Sequence, residues 1–222
     1  MCCSIPLQFL VSDGQSTTTY AYDSFDQLVR ENNQAAGKTW TYAYDDGGRR
    51  ITKTVNGMAY NYHYLGDQLV ELTWGGNKLH FTYASTGPLS VNCNGTEYFY
   101  VKNAQGDVTG LVSASGTRVV SYSYDAWGNL LTTTGSLAAT LGEQNPLRYR
   151  GYVYDTETGL YYLQSRYYNP GWGRFINADS LIDNRGVHTQ NVFAYCGNNP
   201  IIRTGASSDT AFFENNRSTI CF

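Results

Sequence analysis

The sequence predicts an all-β chain of consecutive antiparallel β-hairpins that join into one long twisted sheet, and three observations carry that expectation. First, a tyrosine doublet returns as Tyr20/Tyr22, Tyr42/Tyr44, Tyr62/Tyr64, Phe81/Tyr83, Tyr98/Tyr100 and Tyr122/Tyr124, its second members 22, 20, 19, 17 and 24 residues apart. A nearly constant period of this size marks a repeat architecture, whose units are too small to bury an apolar face alone and must stack on their neighbours. Second, 20 of the 222 residues are tyrosine and 23 are glycine, while charged residues make up only 15%. That balance favours pleated surfaces and tight turns. Third, apolar and polar residues alternate with period two inside each repeat.

Residues 1–17 are expected to form an irregular segment and residues 18–135 the hairpin repeats. In the stretch from Thr39 to Tyr44, Trp40, Tyr42 and Tyr44 fall on one face of a strand. The stretches Met58 to Tyr64 and Ser121 to Tyr124 follow the same pattern. Each is followed by a turn signal: Asp45-Asp46-Gly47-Gly48, Leu65-Gly66-Asp67, or Asp125-Ala126-Trp127-Gly128-Asn129. A second alternating run such as Gln68 to Leu72 then begins. Asn56-Gly57, Gly75-Gly76-Asn77 and Asn94-Gly95 supply the positive-φ positions that hairpin turns need, and Gly106-Asp107 reads as a further turn. Stacked hairpins bring the tyrosines into register as an aromatic stripe, expected to act by cross-strand packing. Residues 136–146 break the pattern and are expected to connect, with one helical turn. Residues 147–204 form a distinct segment, and residues 205–222, rich in Ser, Asn and Thr, are expected to be disordered.

A net charge of −3 leaves no basic footprint for nucleic acid or anionic membrane. No run approaches 18 apolar residues, so no membrane span is expected. Met1 to Val11 lacks the basic flank and cleavage pattern of a signal peptide, so the chain is expected to begin in mid-array without an export signal. Cys2, Cys3, Cys93, Cys196 and Cys221 form no C-x-x-C pair, and His63, His80 and His188 are scattered. No metal and no cofactor is therefore expected. G-x-S-x-G, the phosphate loop and H-E-x-x-H are all missing from the sequence.

After the connecting residues, Leu147 to Tyr154 and Leu160 to Tyr168 read as two strands around a turn from Asp155 to Gly159. A sharp turn, Asn169-Pro170-Gly171-Trp172-Gly173, then precedes Arg174-Phe175-Ile176. Arg166 and Arg174 sit among Tyr161, Tyr162, Tyr167, Tyr168 and Trp172. There a guanidinium can stack on a ring and pair with Asp155 or Asp179.

The segment LRYRGYVYDTETGLYYLQSRYYNPGWGRFINAD, Leu147 to Asp179, resembles the conserved core that ends RHS/YD-repeat proteins. These are Tyr-Asp repeat shells of bacterial polymorphic toxins, insecticidal toxin-complex C components and, more distantly, teneurins. Upstream, Tyr22-Asp23, Tyr44-Asp45 and Tyr124-Asp125 with Gly128 are similar to YD repeats. The stretch from Asn191 through Tyr195 and Asn199 to Pro200 resembles the one that follows the core. The residues carrying the core motif are Tyr154, Asp155, Gly159, Tyr161, Tyr162, Arg166, Tyr167, Tyr168, Pro170, Gly173, Arg174, Phe175, Asp179, Asn191, Tyr195, Asn199 and Pro200.

The resemblance implies a partial spiral of a hollow RHS/YD shell that encloses a carboxy-terminal polypeptide. Its implied partners are other shell segments or that cargo, and its implied location is secreted or cell wall-associated. It also implies self-cleavage by two aspartates sharing a proton. The first would be Asp179; the second belongs to an Asp-Pro-x-Gly element that is missing where Gly205 stands. Only 18 residues follow Thr204, so no folded cargo is expected. The resulting expectation is an encapsulation module that is not an enzyme. Two alternatives stand beside it: a module that binds cell-surface glycans through exposed tyrosines, and a self-cleaving aspartyl core.

Overall fold

The alternating runs form strands and the Asp/Asn/Gly clusters form the turns between them. The computed structural model describes residues 7–12, 17–177 and 193–201. Its first thirteen strands are β1 (Leu7–Ser12), β2 (Thr17–Tyr22), β3 (Leu28–Asn33), β4 (Lys38–Tyr44), β5 (Arg50–Val55), β6 (Met58–Leu65), β7 (Gln68–Trp74), β8 (Asn77–Ala84), β9 (Gly87–Cys93), β10 (Thr96–Lys102), β11 (Val108–Ser113), β12 (Arg118–Tyr124) and β13 (Leu130–Thr134). They make one antiparallel sheet in strict chain order. A four-stranded sheet follows: β14 (Val153–Asp155), β15 (Leu160–Leu163), β16 (Arg166–Asn169) and β17 (Arg174–Phe175). Between the sheets lies one helical turn, α1 (Leu141–Gln144). No helix among the described residues is long and apolar enough to cross a membrane.

The chain divides into two compact units, Met1–Leu79 and His80–Phe222. In the first, the register aligns Tyr20, Glu31, Trp40 and Val55 across β2 to β5. Tyr20, Tyr22, Leu28, Trp40, Tyr42, Tyr62 and Leu72 are buried on that face. Arg50 is also fully buried, its guanidinium 5.7 Å from the Tyr42 ring and 4.5 Å from the Tyr62 ring. Ring faces carry negative potential, so the aromatic stripe can hold a cation inside it. Polar pairs mark the other face, where Thr39 Oγ1 donates to Asn32 Oδ1 at 3.4 Å. In the second unit Leu79's successors Phe81, Val91, Leu111, Val120 and Tyr122 take the corresponding buried positions.

Four turns share one hydrogen-bond plan. At Asp23, Asp45, Asn103 and Asp125 the side-chain Oδ1 accepts the amides two and four residues on, at 2.9–3.0 Å. The fourth residue of each turn has positive φ: Asp26 (+59°), Gly48 (+79°), Gly106 (+86°) and Gly128 (+88°). An Asx side chain satisfies amides the hairpin cannot, and glycine adopts left-handed φ without steric cost. This is the physical content of the Asp and Gly that follow the tyrosine doublets. Slight desolvation works against the charged form of Asp45, but the Arg49 and Gly47 amides and the Arg49 guanidinium hold its carboxyl below the usual carboxylate range.

The register also slips by one residue just before the second tyrosine, between Ala21/Tyr22, Ala43/Tyr44, His63/Tyr64 and Ser123/Tyr124. A bulge there increases local twist and re-aims the side chain. The re-aimed hydroxyl reaches the preceding repeat. Tyr44 donates to Leu28 O at 2.7 Å, Tyr64 to Arg50 O at 3.1 Å, and Tyr124 to Val108 O at 2.9 Å. Leu28, Arg50 and Val108 each stand just past the previous Asx turn. The stripe is therefore more than the cross-strand packing expected of it, because at Tyr44, Tyr64 and Tyr124 its second tyrosine latches a repeat to the one before.

The core segment departs from the two long strands expected of it. Leu147 to Tyr152 is not strand: Tyr149–Gly151 form a tight 3-10 turn with Arg150 at φ +55°. The run from Leu160 to Tyr168 is split by a turn at Gln164, φ +58°. The turn at Gln164 folds β16 back on β15, pairing Tyr161 with Tyr168 and Tyr162 with Tyr167, and all four rings are buried.

Tyr124→Phe removes only the hydroxyl bound to Val108 O. It is expected to lower stability by about 0.5–1.5 kcal/mol in urea unfolding followed by far-UV circular dichroism. An unchanged midpoint would reduce the latch to ring packing.

Candidate functional site

The turn from Asp125 to Asn129, last of the four Asx turns, is where the core segment docks. Three successive carbonyls of this turn accept tyrosine hydroxyls: Ala126 O from Tyr149 (2.9 Å), Trp127 O from Tyr168 (2.7 Å) and Gly128 O from Tyr161 (2.8 Å). Asn129 Nδ2 adds a bond to Pro170 O at 3.2 Å. Gly128 is obligatory here for two reasons. Its φ is +88°, and a Cβ would lie 2.6–2.9 Å from the Tyr149 ring. Trp127 in turn packs under Gly173, where a Cβ would meet its ring at 3.0 Å.

Behind these hydroxyls lies a buried cluster of Tyr149, Tyr161, Leu163, Tyr168, Phe175, Tyr195 and Cys196, flanked by Tyr124, Trp127, Tyr152 and Tyr154. Tyr168 stacks on Tyr195 at 4.0 Å, and Tyr154 meets Tyr161 at 4.7 Å. Tyr162 packs on Tyr167 at 5.1 Å, and its hydroxyl donates to Gln164 O. Each ring contributes both apolar area and a polar tip that must find an acceptor when buried. The turn carbonyls are those acceptors.

Arg166 is buried and stacks on the Phe175 ring at 3.7 Å, whereas Arg174 is exposed, paired in the sheet with Asn169. Arg148 and Arg150 are structural cations in addition to Arg166. Arg148 is 1% exposed; it donates to Asn145 O, Gly142 O and Glu143 O, and lies between the Tyr122 (5.0 Å) and Tyr154 (4.7 Å) rings. Strand alternation through Leu147 to Tyr154 would have pointed both arginines to solvent, opposite Tyr149. The left-handed Arg150 breaks that alternation and turns them inward. A pair of arginines beside a glycine in a charge-poor stretch was the available signal.

The remaining motif residues have structural positions. Asp155 is fully buried, and its carbonyl accepts the Gly159 amide at 2.8 Å, closing the turn to Leu160. Asn177 clamps the β15–β16 turn by accepting the Tyr167 amide and donating to Ser165 O. The Asn199 amide donates to Cys196 O, and Pro200 O accepts Arg150 at 2.6 Å. Asp179 and Asn191 lie outside the described residues, as do Gly205 and His188. Among the described residues, no group of three or more His, Cys, Asp or Glu could hold a metal.

Exposed rings for a glycan are not what the doublets supply, since Tyr20, Tyr22, Tyr42, Tyr62 and Tyr122 are buried. In the first unit a groove of about 440 Å³ is lined by Thr19, Ala21, Val29, Arg30, Asn32 and Thr41, among others, with no aromatic side chain.

Burial raises the phenol pKa of Tyr20, Tyr83, Tyr100, Tyr124, Tyr161 and Tyr168 above the ordinary value. A raised folded-state pKa stabilises the fold fully below the unfolded value and less as pH climbs past it.

A model of the family described as "Teneurin YD-shell" matches residues 9–201. The tRNA3(Ser)-specific nuclease WapA of Bacillus spizizenii is 43% identical over 198 residues, covering 86% of this chain and 8% of that protein. The tRNA nuclease WapA of Bacillus subtilis is 42% identical, with the same 86% and 8% coverage. Among solved structures, the crystal structure of TcdB2-TccC3-Cdc42 superposes with a TM-score of 0.69 at 16% identity, over 86% of this chain and 10% of that one. The chain thus spans about a tenth or less of each of these three proteins. The relatives' names overturn one expectation. A non-enzyme was expected, and both relatives are nucleases.

Gly128→Ala is expected to cost about 2–4 kcal/mol, from left-handed φ and from overpacking against Tyr149. Near-UV circular dichroism of the tyrosine cluster and the thermal midpoint should both fall; wild-type values would remove the docking role of this turn. On raising pH, stability should hold to about pH 9.5 and fall above about pH 10, with tyrosinate absorbance appearing together with loss of the β-sheet spectrum. Free titration of most tyrosines near pH 10 in a still-folded chain would contradict their burial.

Proposed function

This chain belongs to the teneurin YD-shell family, and on that premise we propose that it forms a stretch of wall in a β-sheet shell built by a longer polypeptide. The observation that supports this reading best is the latch between repeats. Hairpins in strict chain order, three of them tied by a tyrosine hydroxyl to the carbonyl past the previous turn, can extend a wall repeat by repeat without a separate core. The core segment, held on the last Asx turn by three hydroxyls, ends the series.

In this reading the shell encloses a polypeptide cargo, and its setting is that of a secreted or wall-associated toxin. The nuclease chemistry named for the two WapA relatives would reside in residues outside the stretch they share with this chain, which is 8% of each. The wall contributes containment. A charge-poor wall offers contact area with few fixed ion pairs, which suits many sequences of enclosed chain.

Electron cryo-microscopy of the complete polypeptide that carries this sequence tests the reading. A hollow β-shell with β1 to β13 as consecutive strands of its wall is the expected result. A free-standing domain, joined to the remainder by a linker, would overturn it.

A further inference from the structure

The residues from Phe193 to Ile201 return to the core segment after a stretch outside the described residues, and two separate grips hold them. One is local to the small sheet: the Phe175 amide donates to Phe193 O at 3.0 Å, and Arg174 bridges Ala194. The other comes from far along the chain. Arg150 donates through one terminal nitrogen to Pro200 O at 2.6 Å and through the other to Gln105 O at 3.0 Å. Its Nε stands 3.5 Å from Asp107 Oδ1, with side chains 5% and 7% exposed. Gln105 Nε2 reaches Ile201 O at 2.9 Å.

We propose that Arg150 is a positioning residue that grips the main chain at Pro200 and so fixes the end of the Phe193–Ile201 stretch against the Asn103–Asp107 turn. Three features converge on this role. The guanidinium fork spans acceptors on two segments far apart in the sequence, the Asn103–Asp107 turn and the Pro200 carbonyl, as a planar group with several fixed donors can. Asp107 orients the fork, and also accepts the Arg150 amide at 3.0 Å. That amide can face Asp107 only because Arg150 sits at φ +55°, a conformation that costs a non-glycine residue energy and persists only where its surroundings enforce it. A solvent-facing arginine would have no reason to hold it.

The grip is independent of what the shell encloses, and it stands or falls separately from the wall reading. Amide hydrogen exchange on the full chain tests it. In Arg150→Met the Asn198 and Asn199 amides, which donate to Tyr195 O and Cys196 O, should exchange about tenfold faster or more. The Phe175 and Ile176 amides should stay within about twofold of wild type, because their bonds to Phe193 O and Tyr167 O lie on the other grip. Arg150→Lys, with a single ammonium in place of the fork, should fall between the two. Arg150→Lys, which keeps a cation opposite Asp107, provides the test if Arg150→Met fails to fold, and should still raise exchange at Asn198 and Asn199 above wild type. Unchanged exchange at Asn198 and Asn199 in a folded Arg150→Met or Arg150→Lys, or an equal rise at all four amides, would overturn the assignment.

Discussion

A tyrosine hydroxyl that reaches back to the main-chain carbonyl just past the preceding turn is the contact on which the rest of this structure depends. A row of hairpins has no second layer to pack against, so each unit must be fixed to its neighbour by the strand ladder and by whatever its side chains add at the edge. The ladder alone permits slippage wherever one face is not sharply apolar. The Tyr44, Tyr64 and Tyr124 hydroxyls remove that freedom, because each is within bonding distance of one carbonyl only when the bulge before it and the Asx turn behind it are in place. Turn, bulge and latch therefore form one unit, and its spacing is the period of the sequence.

The same device appears in concentrated form where the array ends. Instead of one hydroxyl per turn, the Asp125–Asn129 turn receives three, from Tyr149, Tyr161 and Tyr168. The rings behind them form a buried aromatic cluster of the second unit. Burying these phenols is tolerable because a turn carbonyl meets the tips of Tyr149, Tyr161 and Tyr168; an unpaired hydroxyl in that setting would cost about as much as its ring contributes by contact. Arg148 follows the same logic with a charge. Three carbonyls and two ring faces surround it, so a guanidinium enters an interior with few carboxylates.

Much of the fold was legible because it rests on local rules. Period-two alternation around Trp40, Tyr42 and Tyr44 identifies a strand whatever surrounds it, and Asp followed by glycine at the third position identifies its turn. The core motif from Tyr154 to Phe175 was legible as a unit, and most of its members prove to be ring or turn residues of one cluster. Its cations were legible only in part. Arg166 and Arg174 stood out by their aromatic neighbours in sequence, and Arg166 does lie buried on the Phe175 ring, yet Arg148 and Arg150 also hold the segment, where the left-handed Arg150 breaks the strand alternation.

By itself the sequence determined the strand-turn-strand repeat, the face on which tyrosines lie and the place where the array gives way to a different segment. Those follow from backbone geometry and from side chains a few residues apart. Only the tertiary structure decided which carbonyl each hydroxyl finds, that three tyrosines converge on one turn, and that Arg150 joins Gln105 to Pro200. These contacts link residues 14 to 50 positions apart. Their partners are main-chain atoms, which every residue type presents alike, so no pattern of residue types can announce them.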